Sequence, residues 1–85
     1  MFFMYIIKSL KDSKLYFGST SNLRKRLKEH NSGLNQSTKS RRPFKLVYYE
    51  AYISEEDAKQ REQNLKLRAR ALRQLTKRIN RSLAS

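Results

Sequence analysis

Phe2-Phe3-Met4-Tyr5-Ile6-Ile7-Lys8, then Lys11-Asp12-Ser13-Lys14, then Leu15-Tyr16-Phe17-Gly18: residues 2–18 set the architecture. The first run is rich in aromatic and β-branched types, which favour a pleated surface over a helix. Alternation puts Phe3, Tyr5 and Ile7 on one face and Phe2, Met4 and Ile6 on the other. Both faces are apolar, so this is a central strand covered on each side. The polar tetrapeptide is a turn, and Leu15-Tyr16-Phe17-Gly18 returns as the second strand of an antiparallel hairpin.

Outward from the hairpin, Ser19-Thr20-Ser21-Asn22 is a cluster of N-cap residues, and a helix is predicted from about residue 22 to 32. At 100° per residue, Leu23, Leu27, His30 and Leu34 share a stripe, with Arg26 at its edge. Gly33 suits a left-handed cap. Residues 35–43 are a polar, basic loop ending in Arg42-Pro43. Phe44 to Tyr52 is a third strand. Ser54 with Asp57 resembles a capping box, and Glu55 and Glu56 complement the positive end of a helix. Ala58 and Leu65 mark the apolar stripe of that helix, and Glu62 lies between them. Leu72, Leu75, Ile79 and Leu83 continue an amphipathic pattern in a basic last helix, with a bend placed at Arg68-Ala69-Arg70. The class is therefore α/β, of the α+β kind. It is a single domain over residues 1–85, with a small three-stranded antiparallel sheet flanked by helices in the order β-β-α-β-α-α.

Charge narrows the partner. Twenty Lys and Arg face seven Asp and Glu, a formal +13 at pH 7. Self-repulsion on that scale is best tolerated by a protein that meets a polyanion, and nucleic acid fits. There is no Cys, which excludes disulfides, thiolate zinc sites and a cysteine nucleophile. One His excludes a histidine-rich metal cluster. No apolar run approaches the roughly 20 residues of a membrane span. The apolar start lacks a basic leader and cleavage site, so the expectation is a cytoplasmic protein with no membrane partner. Nothing in the pattern specifies an oligomeric state.

Five residues could carry chemistry, and each also has a structural reading. Glu62 is costly to bury alone. It is either half of an ion pair, with Arg61 or a loop lysine, or a ligand for a hard cation. Arg26 and His30 lie one helical turn apart. Arg26 can fork onto a phosphate or sit on a solvated face with Arg24, Lys25 and Lys28. His30 can move a proton or pack in the core with Leu23 and Leu27. Tyr5 and Tyr16 are strand residues whose hydroxyls either find a core partner or help deprotonate a water.

Order and spacing join them. Phe3-Met4-Tyr5 followed by Tyr16-Phe17-Gly18 resembles the paired motif of the GIY-YIG nuclease superfamily. Arg26 in Asn22-Leu23-Arg24-Lys25-Arg26-Leu27, then His30, then Glu62 in Ala58-Lys59-Gln60-Arg61-Glu62 continue the match. His30-Asn31-Ser32-Gly33, Thr38-Lys39, Arg42-Pro43 and Leu46-Val47-Tyr48 resemble its short, stand-alone, endonuclease-like members. Phe3, Met4 and Phe17 depart from the name motif. Ala69 stands where the short members often open the last helix with Ser or Thr, and Asn80 is the one candidate for a late site Asn.

The resemblance implies metal-dependent hydrolysis of phosphodiester bonds, with DNA as the partner and Mg²⁺ or Mn²⁺ held by Glu62. It implies that Tyr5 and His30 handle the proton of the attacking water and that Arg26 stabilises charge on the phosphate. Tyr16 would bond near the nucleophile or phosphate. Gly18 would keep a strand end clear for nucleic acid, while Lys39, Arg41, Arg42 and Arg70 would contact phosphates. The alternative is a nucleic-acid- or ribosome-binding module that keeps the fold without catalysis.

Overall fold

The structure is a computed structural model that describes residues 1–85. Strands β1 (Phe2–Ser9), β2 (Leu15–Thr20) and β3 (Phe44–Tyr52) form one antiparallel sheet in the order β2-β1-β3. The central place of β1 follows from its sequence: Met4, Tyr5, Ile6 and Ile7 are all buried, two on each face. A register shift between Ile6 and Ile7 in the β1–β3 pairing marks a bulge, which bends the sheet.

Helix α1 (Leu23–Ser32) begins at Asn22, whose side chain accepts a hydrogen bond from the Lys25 amide. It ends at Gly33, which takes a left-handed φ of 83°. The expected stripe therefore stops at His30. Leu34 lies beyond the cap and is exposed, because the chain has already turned away from the sheet. The loop that follows contains a 3-10 turn at Lys39–Arg41. Helix α2 (Glu55–Leu67) starts at Ser54, whose hydroxyl accepts from the Asp57 amide. The predicted bend is present: Arg68 ends α2 and precedes α3 (Ala69–Arg78). No side chain caps α3. The basic last segment is not one helix, however. It breaks again at Ile79, and α4 (Asn80–Ala84) is a separate short turn of helix.

Two cores lie on the two faces of the sheet. Met4 and Ile6 pack with Leu65 of α2 and Leu75 of α3, joined by Phe17, Val47 and Tyr52. Tyr5 and Ile7 pack with Phe44, Tyr16 and the α1 residues Leu23 and Leu27. The sheet thus separates α1 and its loop from α2 and α3. The Tyr5 face is the smaller and more polar of the two, and it carries the candidate site.

Candidate active site

Strand pairing places the two tyrosines. Tyr5 stands opposite Gly18 and Ile7 opposite Tyr16, so Tyr5 and Tyr16 are diagonal neighbours on one face. Helix α1 lays His30 over them. The imidazole is fully buried, with its centroid 5.9 Å from Tyr5, 5.1 Å from Tyr16 and 6.0 Å from Phe44. Tyr5 Oη and His30 Nε2 are hydrogen-bonded at 2.8 Å, and His30 Nδ1 bonds Thr38 Oγ1 at 2.7 Å.

Gly18 has a different place from the one expected. It is buried, and the Tyr5 ring fills the space above it: a Cβ built there would fall inside the van der Waals shell of the ring's outer atoms. Glycine at this position seats the tyrosine and does not offer open strand to nucleic acid.

Arg26 sits beside the Tyr5 phenol. Its Nη1 donates to Glu29 Oε1 at 3.3 Å, while its Nε is buried with no hydrogen-bond partner. Arg26 also borders two open depressions of about 240 and 340 Å³, so the guanidinium joins the buried tyrosine to solvent. The charges register on one another. Burial pushes the Tyr5 phenol up, Arg26 opposes this, and Tyr16 and Glu62 push it further up. The Glu62 contribution is the smallest of these, and its helix belongs to the other layer. Tyr5 in turn holds the Arg26 guanidinium above its usual range. Burial lowers His30, reinforced by the Arg26 charge, so the ring is neutral at pH 7.

Glu62 does not pair with Arg61. Its Oε2 accepts from Lys66 Nζ at 2.5 Å, and the Lys66 ammonium lies 6.0 Å from the Tyr16 ring centroid. Residues one apart on a helix point in different directions, whereas residues four apart are neighbours. Arg61 instead forks onto Glu50 of β3, with Nε 2.9 Å from Oε1 and Nη2 3.2 Å from Oε2. The other oxygen of Glu62, Oε1, takes no hydrogen bond from the protein. A hard divalent cation needs oxygen donors and is commonly held by one or two carboxylates, with water and phosphate oxygens completing its shell. A half-buried carboxylate with one free oxygen fits that donor chemistry. No group of three His, Cys, Asp or Glu side chains exists to form an all-protein cage.

The expected phosphate contacts divide. Lys39 and Arg42 are exposed and, with Lys11, Gln36 and Ser40, line an open basic depression of about 480 Å³. Arg41 is engaged within the fold. Its Nε is 2.9 Å from Asp12 Oδ2 and its guanidinium lies over the Phe44 ring at 5.6 Å. That hydrogen bond holds the Asp12 carboxyl at about 2. Arg70 is exposed on α3, in the layer across the sheet from Tyr5, where it shares a surface depression with Arg73 and Lys77. Asn80 is exposed on α4, which reaches the sheet through β3 and a bond from Lys8 Nζ to the Leu83 carbonyl, so it does not join the cluster. Thr38 and Lys66 are members of the cluster that spacing alone did not nominate. Thr38 lies in an aperiodic loop, where pattern gives no burial signal. Lys66 was legible as the i+4 partner of Glu62.

Comparison with known proteins names the class. The chain matches the family model of the GIY-YIG catalytic domain over residues 1–80 and belongs to that family. Its domain is therefore of the nuclease type, with nucleic acid as the implied substrate. Within the family it is similar to UPF0213 proteins. It is 45% identical to one from Clostridium perfringens, over 78% of this chain and 71% of the relative. It is 38% identical to UPF0213 protein YazA of Bacillus subtilis, over 86% of this chain and 74% of the relative. The solution NMR structure of a UPF0213 protein from Bacillus halodurans superposes with a TM-score of 0.54 at 36% identity, covering 91% of this chain and 84% of that one. No helix is long and apolar enough to cross a membrane.

Proposed function

We propose that this protein is a metal-dependent endonuclease that hydrolyses phosphodiester bonds of DNA, with branched and other structured DNA as the substrates to test first. One observation carries the reading: Tyr5, Tyr16, Arg26 and His30 converge on one face of the sheet.

Each residue then has a task. Tyr5, with His30 hydrogen-bonded to its hydroxyl, orients the attacking water. Arg26, with an unpartnered Nε and access to solvent, meets the negative charge that grows on the phosphate. Tyr16 borders both His30 and the Glu62–Lys66 pair, where its hydroxyl can bond a phosphate oxygen. Glu62 would hold Mg²⁺ or Mn²⁺ through its free oxygen. A divalent ion bound there supplies neutralisation of the scissile phosphate and the leaving oxygen. Lys39, Arg42 and Arg70 contribute phosphate contacts that position the substrate without reading bases.

The test is cleavage of branched, single-stranded and duplex DNA with Mg²⁺ or Mn²⁺ by the wild type, Glu62→Ala and Arg26→Ala. Loss of one transition-state charge donor costs about 10²–10³ in rate, the drop expected for Arg26→Ala; Glu62→Ala should lose the metal-dependent cleavage. Equal cleavage by all three proteins removes the site. Tight, metal-independent binding by a wild type that cuts nothing establishes a binding module instead.

A further inference from the structure

Thr38 is fully buried between the exposed Ser37 and Lys39, in the loop that joins α1 to β3. Its hydroxyl ends a buried chain of two hydrogen bonds, from Thr38 Oγ1 to His30 Nδ1 at 2.7 Å and from His30 Nε2 to Tyr5 Oη at 2.8 Å. A neutral imidazole carries one N–H, so one ring nitrogen donates and the other accepts. The Thr38 hydroxyl proton has no acceptor other than Nδ1, and a buried donor left without one is costly. Tyr5 is placed differently. It keeps 2% of its surface exposed where Thr38 keeps none, and the Arg26 guanidinium beside its phenol borders two open depressions, so its own proton can turn to water.

We propose that Thr38 is a positioning residue: its hydroxyl donates to His30 Nδ1, which keeps the ring proton on Nε2 and aims that N–H at Tyr5 Oη. His30 is then a hydrogen-bond donor to Tyr5, not the acceptor of its proton. Through the ring, a loop residue adjacent to the basic depression sets the orientation of the first tyrosine. The consequence for catalysis rests on the nuclease reading given above; the ring geometry does not.

His30 is the only histidine in the chain, so nitrogen-15 labelling of histidine gives the spectrum of a single imidazole. In the full-length wild type at neutral pH, without metal or DNA, the expected ring is one tautomer protonated at Nε2. Thr38→Ser keeps a donor and retains that pattern. Thr38→Val fills a similar volume without a donor, and its ring is expected to populate both tautomers. A wild-type ring protonated at Nδ1 overturns the proposal, as does a wild-type ring pattern in Thr38→Val. The wild-type and Thr38→Ser spectra are decisive even if Thr38→Val does not fold. In the cleavage assay, Thr38→Val is expected to lose ~10- to 100-fold, the range for outer-shell partners of metal-ligating histidines, and Thr38→Ser to recover most of it. Because the spectra are read without substrate, an inactive wild type would sink the nuclease reading while leaving the tautomer result standing.

Discussion

At the scale of single residues, the site is a problem of space before it is a problem of charge. Tyr5 can cross to His30 only because the residue opposite it in the hairpin has no side chain. The atoms nearest a Cβ at position 18 are the outer atoms of the Tyr5 ring, and that ring is held by His30 on one side and packed in a core on the other. It cannot yield as a free side chain would. Gly18→Ala should therefore displace the tyrosine and lose the Tyr5–His30 bond. Overpacking of this kind costs about 1–3 kcal/mol, readable in urea denaturation. Cleavage should fall with it, because the lost contact lies at the reacting centre. An alanine variant with wild-type stability and activity would show that the ring does not lie over position 18. Substitution to serine, which adds a further atom to the same space, should be more damaging than alanine, whereas a loss of backbone freedom would make the two alike.

At the scale of elements, the strands were the most legible part of the fold. Alternation in residues 2–8 gave both faces of β1, and Asn22, Gly33 and Ser54 announced the ends of helices through their own chemistry. What pattern could not supply was partnership across elements. A carboxylate at position 62 was visibly expensive to bury, but the identity of its cation depended on helical geometry that excludes Arg61 and selects Lys66. Arg61 has a long-range partner that no local rule predicts. Glu50 on β3 collects Arg61 together with the hydroxyls of Tyr48 at 2.7 Å and Tyr52 at 2.5 Å. Burial pushes the Glu50 carboxyl up, but Arg61 and the two hydroxyls outweigh it and hold it below the ordinary range, while Tyr52 is driven up to about 12. This cluster fastens α2 to the sheet one residue before Glu62. Glu50→Gln removes the charge while keeping the shape, and leaves the Arg61 guanidinium half-buried without a counter-charge. The expected loss is about 1–3 kcal/mol, the scale of hydrogen bonds to charged groups, measured by chemical denaturation. Arg61→Met should fall in the same range, and the double variant should cost less than the sum. Additive losses would mean that the pair does not couple α2 to β3.

At the scale of the whole molecule, the formal +13 is not spread as a single binding face. Lys39 and Arg42 lie beside the α1 loop, Arg70 lies with Arg73 and Lys77 on α3 across the sheet, and Arg41 is consumed inside the fold. The extents of 28 × 26 × 20 Å limit what one straight duplex can meet. Laid along the 28 Å axis, a duplex passes about 16 phosphates, of which roughly half face the protein. At about −0.9 per neutralised phosphate, the slope of log affinity against log salt for one copy on one duplex should be no steeper than about −7. Lys39→Ala and Arg42→Ala should each flatten it by about 1 without altering the fold. Arg41→Ala should behave differently. It should cost stability, because Asp12 and Phe44 lose their partner, with little change in slope. Arg70→Ala is the informative case, since its face cannot touch a straight duplex seated against the Tyr5 side. If it too flattens the slope on branched DNA but not on a linear duplex, the two layers hold two arms of one substrate, and the preference for structured DNA follows from the distribution of charge. An unchanged slope on both substrates would confine binding to the Tyr5 side and leave the α3 stripe as a solvated face.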